Sequence, residues 1–273
     1  MHHEPRIRAV LTCCLGLVLC QAGAAAATSF KITPVQVALS RQTRSALLTL
    51  SNESDEALRF EVSAFTWDQT AKGEMVLHPT QDILFFPALF TVAPGKEQKI
   101  RVGTSVGAGS EEKTYRIFVQ ELRPLATSTP APGTTQVRIL TRMGIPIFLE
   151  PAKAHLSGVI SGARVSGGVL SFDVRNTGNV HFSILEAKVV GSAADGTKVF
   201  EQRAEGWYVL AQGLRTYEIP LTADRCSRAA RVAVEVRTGF GTLTGETPVA
   251  EGDCAVAKPA PTAKGGVPGS TGR

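Results

Sequence analysis

Aromatic and charged residues are scarce in this sequence of 273 residues, and it has a single long apolar run. Aromatic residues make up 6% and charged residues 19% of the chain, against 43% hydrophobic, and the mean hydropathy is +0.06. This balance excludes a disordered chain, which would be rich in charge and poor in apolar residues. The length allows one large domain or two ordinary ones, and we favour two.

The motifs of common enzyme classes are also missing. There is no nucleophile elbow, no glycine loop for phosphate and no HExxH sequence. Beyond residue 27 the histidines are His78, His155 and His181, none at a spacing typical of a metal site. No cluster of lysine and arginine alternates with aromatic residues, so the net charge of +5 does not indicate nucleic acid. We therefore expect no catalytic residue, no metal and no cofactor.

The one long apolar run, Ala9 to Ala27, is typical of a secretory signal peptide. It follows the basic residues Arg6 and Arg8 and ends in small residues, with cleavage expected after Ala26 or Ala27. A retained membrane anchor and a lipoprotein acylated at Cys20 are the alternatives. The apolar core is short for a bilayer span, so we expect residues 1–27 to be removed from an exported protein.

Few cysteines remain after that removal. Only Cys226 and Cys254 lie beyond residue 27. An even pair in an exported chain favours a disulfide, and two buried free thiols are the alternative.

Residues 28–151 alternate apolar and polar side chains in short runs separated by turn sequences, as strands do. The clearest run has Leu58, Phe60, Val62 and Ala64 on one face. No helical stripe interrupts the runs. The predicted strands are Phe30–Leu39, Ala46–Leu50, Leu58–Phe65, Ile100–Val102, Tyr115–Leu122 and Val137–Leu149. About seven short strands in such a length are typical of an immunoglobulin-like sandwich.

The same pattern resumes over residues 152–257 and predicts a second β domain. Its predicted strands are Val169–Val174, Ile184–Val190, Tyr217–Leu221 and Val232–Val236. Phe172 and Trp207 are the expected core aromatics. Residues 258–273 are rich in Pro, Gly, Ala, Ser and Thr, which predicts a disordered tail.

The first predicted domain contains a series of short phrases in a fixed order. They are Leu50-Ser51-Asn52, Trp67-Asp68-Gln69, His78 to Leu84, Phe86 to Gly95, Gln98 to Val102, Thr114-Tyr115-Arg116-Ile117 and Glu121 to Pro124. Together they resemble the N-terminal domain of PapD-like periplasmic pilus chaperones, from about Phe30 to Pro151. The resemblance is thinner afterwards, where Asn176 to Asn179 and the Cys226/Cys254 pair are similar to chaperone second domains.

The resemblance implies an all-β protein of two immunoglobulin-like β-sandwich domains in an L or boomerang arrangement. It also implies a function in the periplasm, where such chaperones hold unassembled pilus or fimbrial subunits and deliver them to an outer-membrane usher. A subunit that lacks a strand exposes unpaired sheet edges, and a strand lent by the chaperone covers them. An exported structural or adhesive protein with two such domains is the alternative.

The resemblance places the donor strand at the end of the first domain, over Val137 to Ile147. Alternation puts the odd-numbered residues on one face. The expected donor residues on this face are Val137, Ile139, Thr141 and Met143. The alternative is that this row faces the domain's own core. Pro146 lacks an N–H, so we expect donation to end before it.

Family members also anchor the terminal carboxylate of the subunit with basic side chains between the two domains. At the two best-known positions this chain has Gln36 and Pro146, and neither is basic. The resemblance to divergent members leaves Arg116 as the expected anchor and Arg142 as the second choice. The alternative for Arg116 is an internal salt bridge with Glu121 or Asp82.

Overall fold

The computed structural model describes residues 30–124 and 139–255, and the regular secondary structure of these residues is almost entirely β-strand. Ten strands form the first domain, namely β1 (Phe30–Thr33), β2 (Val37–Leu39), β3 (Ser45–Asn52), β4 (Leu58–Gln69), β5 (Met75–Pro79), β6 (Ile83–Phe86), β7 (Leu89–Val92), β8 (Glu97–Thr104), β9 (Lys113–Leu122) and β10 (Arg142–Leu149). Within these ranges no helix is long and apolar enough to cross a membrane. The predicted signal peptide and C-terminal tail lie outside the described residues.

The strands of the first domain form two sheets around one core. One sheet has the order β1-β3-β8-β6, and the other has the order β2-β10-β9-β4-β5, with β7 also paired to β4. The predicted alternation in β4 is confirmed, because Leu58, Phe60, Val62 and Ala64 are all buried in this core. The opposite face of β4 is therefore free to form a surface outside the sandwich.

Two predicted strands differ from the structure. The predicted strand Phe30–Leu39 is divided into β1, which pairs with β3, and β2, which pairs with β10 in the other sheet. Pro34 lies in the break and lacks the N–H that a continuous ladder needs. The predicted strand from Val137 starts later, as β10 begins at Arg142, and Val137 lies outside the described residues.

The second domain has eight further strands and one short helix. They are β11 (Gly158–Ser166), β12 (Val169–Asn176), β13 (Phe182–Ser192), β14 (Lys198–Ala204), β15 (Tyr208–Val209), β16 (Leu214–Pro220), α1 (Ala223–Arg228), β17 (Arg231–Thr238) and β18 (Gly241–Pro248). The sheets have the orders β11-β12-β16 and β14-β13-β17-β18, with β15 paired to β13. Phe172 is buried in the second core as predicted, whereas Trp207 is 42% exposed and is not a core residue.

The two β-sandwich domains predicted from the sequence are therefore confirmed, each with its own apolar core. The exact domain bounds at residue 151 and residue 257 stay predictions. The helix α1 was not predicted, since six residues are too few to show a helical stripe.

The predicted disulfide between Cys226 and Cys254 is present. It joins α1, where Cys226 is fully buried, to the turn that follows β18. The bridge closes a loop at the end of the second domain and limits the conformations of its unfolded chain.

Replacing both cysteines by serine should lower the free energy of unfolding. For a sequence separation of 28 the loss of loop closure predicts about 3–4 kcal/mol. Urea unfolding of the variant and of the oxidised parent protein measures the difference. Mass mapping without reductant supplies the control, and two free thiols in the parent would contradict the bridge.

Candidate functional site

Aromatic residues from both domains meet in a third cluster between the two cores. Trp67 and Phe148 come from the first domain, and Leu210 and the partly buried Tyr208 come from the second. The rings of Trp67 and Tyr208 meet edge to face at 5.5 Å, and Phe148 stacks on His181 at 3.6 Å. This interdomain cluster lies at the junction of the two domains, and the region around it is called the cleft below.

Hydrogen bonds fix the two domains beside this cluster. The Glu112 carboxylate accepts from the backbone N of His181 at 2.9 Å and lies 2.7 Å from its ring Nδ1. The backbone N of Thr216 in β16 donates to the carbonyl of Ala71 at 2.7 Å. His181 therefore has a structural partner, and the described ranges hold no group of His, Cys, Asp or Glu arranged to bind a metal.

Arg116 lies at the centre of the cleft. It belongs to β9, where it is level with Pro146 of β10 on one side and Phe65 of β4 on the other. Its guanidinium carbon is 4.2 Å from the ring of Trp67 and 5.9 Å from the ring of Trp207 in the second domain. Residues of both domains therefore contact one cation.

Arg116 is only 7% exposed, and this burial has an electrostatic cost. Loss of solvation lowers the pKa of the guanidinium, and the nearby Tyr208 partly offsets the effect. Arginine stays protonated in proteins, so the charge persists in the cleft. A buried cation gains most from a carboxylate partner in the same place.

No such partner is present among the described residues. The Nη1 atom donates to the carbonyl of Gly144 at 3.2 Å, whereas Nε is buried without any hydrogen bond. The expected alternative of a salt bridge with Asp82 is not seen, since that carboxylate accepts from the Tyr115 hydroxyl at 2.8 Å. The Nε and Nη2 side of a guanidinium can hold both oxygens of a carboxylate, and here its Nε atom has no hydrogen-bond partner in the described ranges.

The two positions that lack basic residues lie beside Arg116. Val37 pairs with Ile147, so the preceding residue Gln36 is level with Pro146, and Pro146 is level with Arg116. The Oε1 atom of Gln36 accepts from the Tyr208 hydroxyl at 3.2 Å. In this row the positive charge is carried by Arg116 on β9. Neither Gln36, next to β2, nor Pro146, on β10, carries one.

The strand β10 has an open edge next to this row. It pairs with β9 along its whole length, but β2 covers only Ile147 to Leu149 on the other side. Glu150 donates its N–H to the carbonyl of Leu39 in β2. Because the backbone groups of every second residue in a strand face the same side, those of Arg142 and Gly144 also face the side of β2. Within the described residues these groups have no strand partner, although the Gly144 carbonyl accepts from the Arg116 side chain, so a strand from another chain can add there.

The predicted donor residues divide into two environments. Ile139 is 69% exposed, and Thr141 is partly buried where β10 is about to begin. Met143 packs partly against the first core, and Ile145 and Ile147 are fully part of it. The alternative, that these odd-numbered residues face the core of the first domain, therefore holds for Ile145 and Ile147. The donor role of Ile139, Thr141 and Met143 stays a prediction.

Arg142, the second choice for the anchor, lies away from the cleft. It begins β10 level with Gln120, at the end of the strand far from Phe148 and the cleft. Its guanidinium carbon lies 3.9 Å from the ring of Phe118. With about 3.3 Å per residue, Arg142 and Pro146 are roughly 13 Å apart along the strand, so Arg142 is the weaker candidate for an anchor in the cleft.

Sequence reasoning missed the contribution of the second domain to the site. Trp207 and Tyr208 both reach the row of Gln36, Pro146 and Arg116, yet they are separated from it by many residues. Tyr208 gave no sequence signal, and Trp207 was assigned to the core because large aromatics are usually buried.

Comparisons with known proteins agree with this geometry. Residues 29–155 match the family described as pili and flagellar-assembly chaperone, PapD N-terminal domain. No curated protein sequence gives a significant match. The match covers both sheets of the first domain, including the open edge of β10 and Arg116.

Solved structures with the same fold extend the likeness over both domains. A chain in the CsuC–CsuE chaperone–tip subunit complex of Acinetobacter baumannii matches with a TM-score of 0.56 at 18% identity, over 80% of this chain and 98% of that one. The class 5 fimbriae chaperone CfaA gives 0.53 at 13% identity, with 80% and 99% covered. A chain in the SafA pilin–SafB chaperone complex of Salmonella enterica gives 0.50 at 16% identity, with 80% and 96% covered.

The fold and the site define a two-domain β-sandwich protein with an open strand edge beside a buried cation. Its first domain matches the family model of the pili and flagellar-assembly chaperones. The low identities to the solved structures place it among divergent members of that fold.

Proposed function

We propose that this protein is a periplasmic chaperone that captures pilus or fimbrial subunits by lending them a strand and then delivers them to an outer-membrane usher. The observation that carries the proposal is that an edge of β10, open among the described residues, lies beside Arg116, whose buried Nε atom has no hydrogen-bond partner there. The family match supports the assignment to pilus assembly. The complexes with subunits among the similar folds support the class of client.

The first half of the capture is strand addition. A subunit that lacks a strand presents a groove with unpaired backbone groups, and the open edge of β10 can pair with them. The exposed Ile139 then inserts into the apolar groove, followed by Thr141 and Met143. Because Pro146 has no N–H and β2 covers the strand from Ile147, the pairing ends near Gly144.

The second half is the anchoring of the subunit's terminal carboxylate. The carboxylate binds the Nε and Nη2 side of Arg116, and this charge-assisted contact fixes the register of the added strand. Arg116 lies level with Pro146, at the point where strand pairing must end. A client strand whose last residue lies there and whose earlier residues pass Ile139 must run parallel to β10.

The proposed activity is binding alone. The cleft would bind the C-terminal segment of the client subunit, and this function needs no enzyme chemistry, no cofactor and no nucleotide. An exported structural or adhesive protein with two immunoglobulin-like domains is not favoured, since the matched family consists of assembly chaperones.

The experiment that tests this function is purification of the tagged protein from the periplasm of its native cells while they make pili. Mass spectrometry should find a small secreted β-rich subunit at a one-to-one ratio. The Ile139→Asp variant, purified in parallel, is the control and should lose this subunit. Recovery of the free protein alone from piliated cells would contradict the proposal.

A further inference from the structure

An exposed tryptophan of the second domain borders the anchor site. Trp207 is 42% exposed and lies between the end of β14 and the start of β15. A large aromatic side chain left accessible in a concave site is typical of residues that dominate binding. None of the roles described above for strand addition or for the carboxylate uses this ring.

The backbone holds Trp207 in a fixed place. Its carbonyl accepts a hydrogen bond from the backbone N of Ile184 at 2.9 Å. The preceding residue is Gly206, and a Cβ at that position would collide with the Ile184 carbonyl. The next residue, Tyr208, pairs with Ser183 of β13. The exposed ring is therefore carried by a segment bound to a central strand, and little ordering is needed when a ligand binds.

The ring of Trp207 lies where the last residue of a client would come. It is 5.9 Å from the guanidinium carbon of Arg116 and meets Tyr208 edge to face at 5.5 Å. A carboxylate held by Arg116 has its oxygens about 2.8 Å from the guanidinium nitrogens. The α-carbon that carries this carboxylate then brings its side chain within reach of the exposed ring.

We propose that Trp207 is a specificity-determining residue that stacks on the side chain of the client's C-terminal residue and selects an aromatic one. This inference rests on the proposed anchoring at Arg116. An aromatic side chain gains contact with Trp207 as well as burial, because paired rings attract beyond their buried area. A lysine or arginine at the same place meets the like charge of Arg116 and is disfavoured.

A peptide series tests the proposal with the full chain. The probes are one synthetic peptide of alternating threonine and valine, ending in phenylalanine, glycine or lysine, each made as the free acid and as the amide. Binding is measured by calorimetry or fluorescence anisotropy. We expect the phenylalanine acid to bind about 3- to 10-fold more tightly than the glycine acid. The lysine acid should bind most weakly.

The Trp207→Ala variant should bind the phenylalanine and glycine acids equally, and Trp207→Phe should restore most of the preference. Leu185→Ala is the matched control, because Leu185 is an exposed apolar residue of β13. This control should leave the preference unchanged. The Trp207→Ala variant should still bind each free-acid peptide more tightly than its amide, since this preference depends on Arg116.

The results separate this inference from the proposed function. An unchanged preference in Trp207→Ala, or an equal loss for every terminal residue, would overturn the role of Trp207 alone. If the parent protein does not distinguish acids from amides, or binds none of the peptides, the anchor at Arg116 fails and the role of Trp207 fails with it.

Discussion

Replacing Ile139 by Asp should abolish subunit capture while the chaperone itself stays folded. Ile139 is 69% exposed in the free protein, so the carboxylate is solvated there and the folded state loses little. In the complex the same side chain would enter an apolar groove with no partner for its charge. Burial of an unpaired charge costs about 3–5 kcal/mol, which corresponds to a loss of at least about 100-fold in affinity. Co-purification of the subunit with the tagged variant measures the loss.

Leu140→Asp is the matched control for this substitution. Leu140 is the next residue, is also exposed, and falls on the opposite face of an extended strand. The two variants add the same charge one residue apart, so only the donor face should be sensitive. An unchanged yield of complex with Ile139→Asp, or an equal loss with Leu140→Asp, would contradict the donor assignment.

The strands of the first domain could be predicted from local alternation. The row of Leu58, Phe60, Val62 and Ala64 identified β4 and its core face without knowledge of any partner strand. The open edge of β10 could not be found in this way. Among the described residues the edge is open because Val37 to Leu39 return from the start of the domain to cover only the end of β10, and this contact joins residues far apart in the sequence.

The anchor site shows the same division between local and distant information. The sequence Thr114-Tyr115-Arg116-Ile117, which resembles PapD-like chaperones, indicated Arg116. It did not indicate whether this residue had an internal partner. The structure leaves its Nε atom without one and places Trp207 from the other domain beside it. Trp207 was expected in the core. Its backbone is instead bound to Ile184 of β13, with Gly206 packed closely against the same residue, and the ring lies outside the core.

Replacing Arg116 by Ala should weaken capture strongly while the free chaperone stays folded. The side chain has no carboxylate partner in the described residues, so its removal takes a desolvated and unpaired charge out of the cleft. In the complex the same change leaves the client's carboxylate buried without its cation. Loss of one partner of a buried charged pair costs about 2–4 kcal/mol, or roughly 30- to 1000-fold in affinity.

Three comparisons identify the cause of that loss. Arg116→Lys keeps the charge but cannot hold two carboxylate oxygens side by side, so its affinity should lie between those of the parent and Arg116→Ala. A client with an amidated C terminus should bind the parent and Arg116→Ala alike, because the carboxylate that Arg116 would hold is already gone. Arg142→Ala should have little effect, since Arg142 lies at the far end of β10. A large loss with Arg142→Ala and none with Arg116→Ala would move the anchor to Arg142 and with it the end of the client strand.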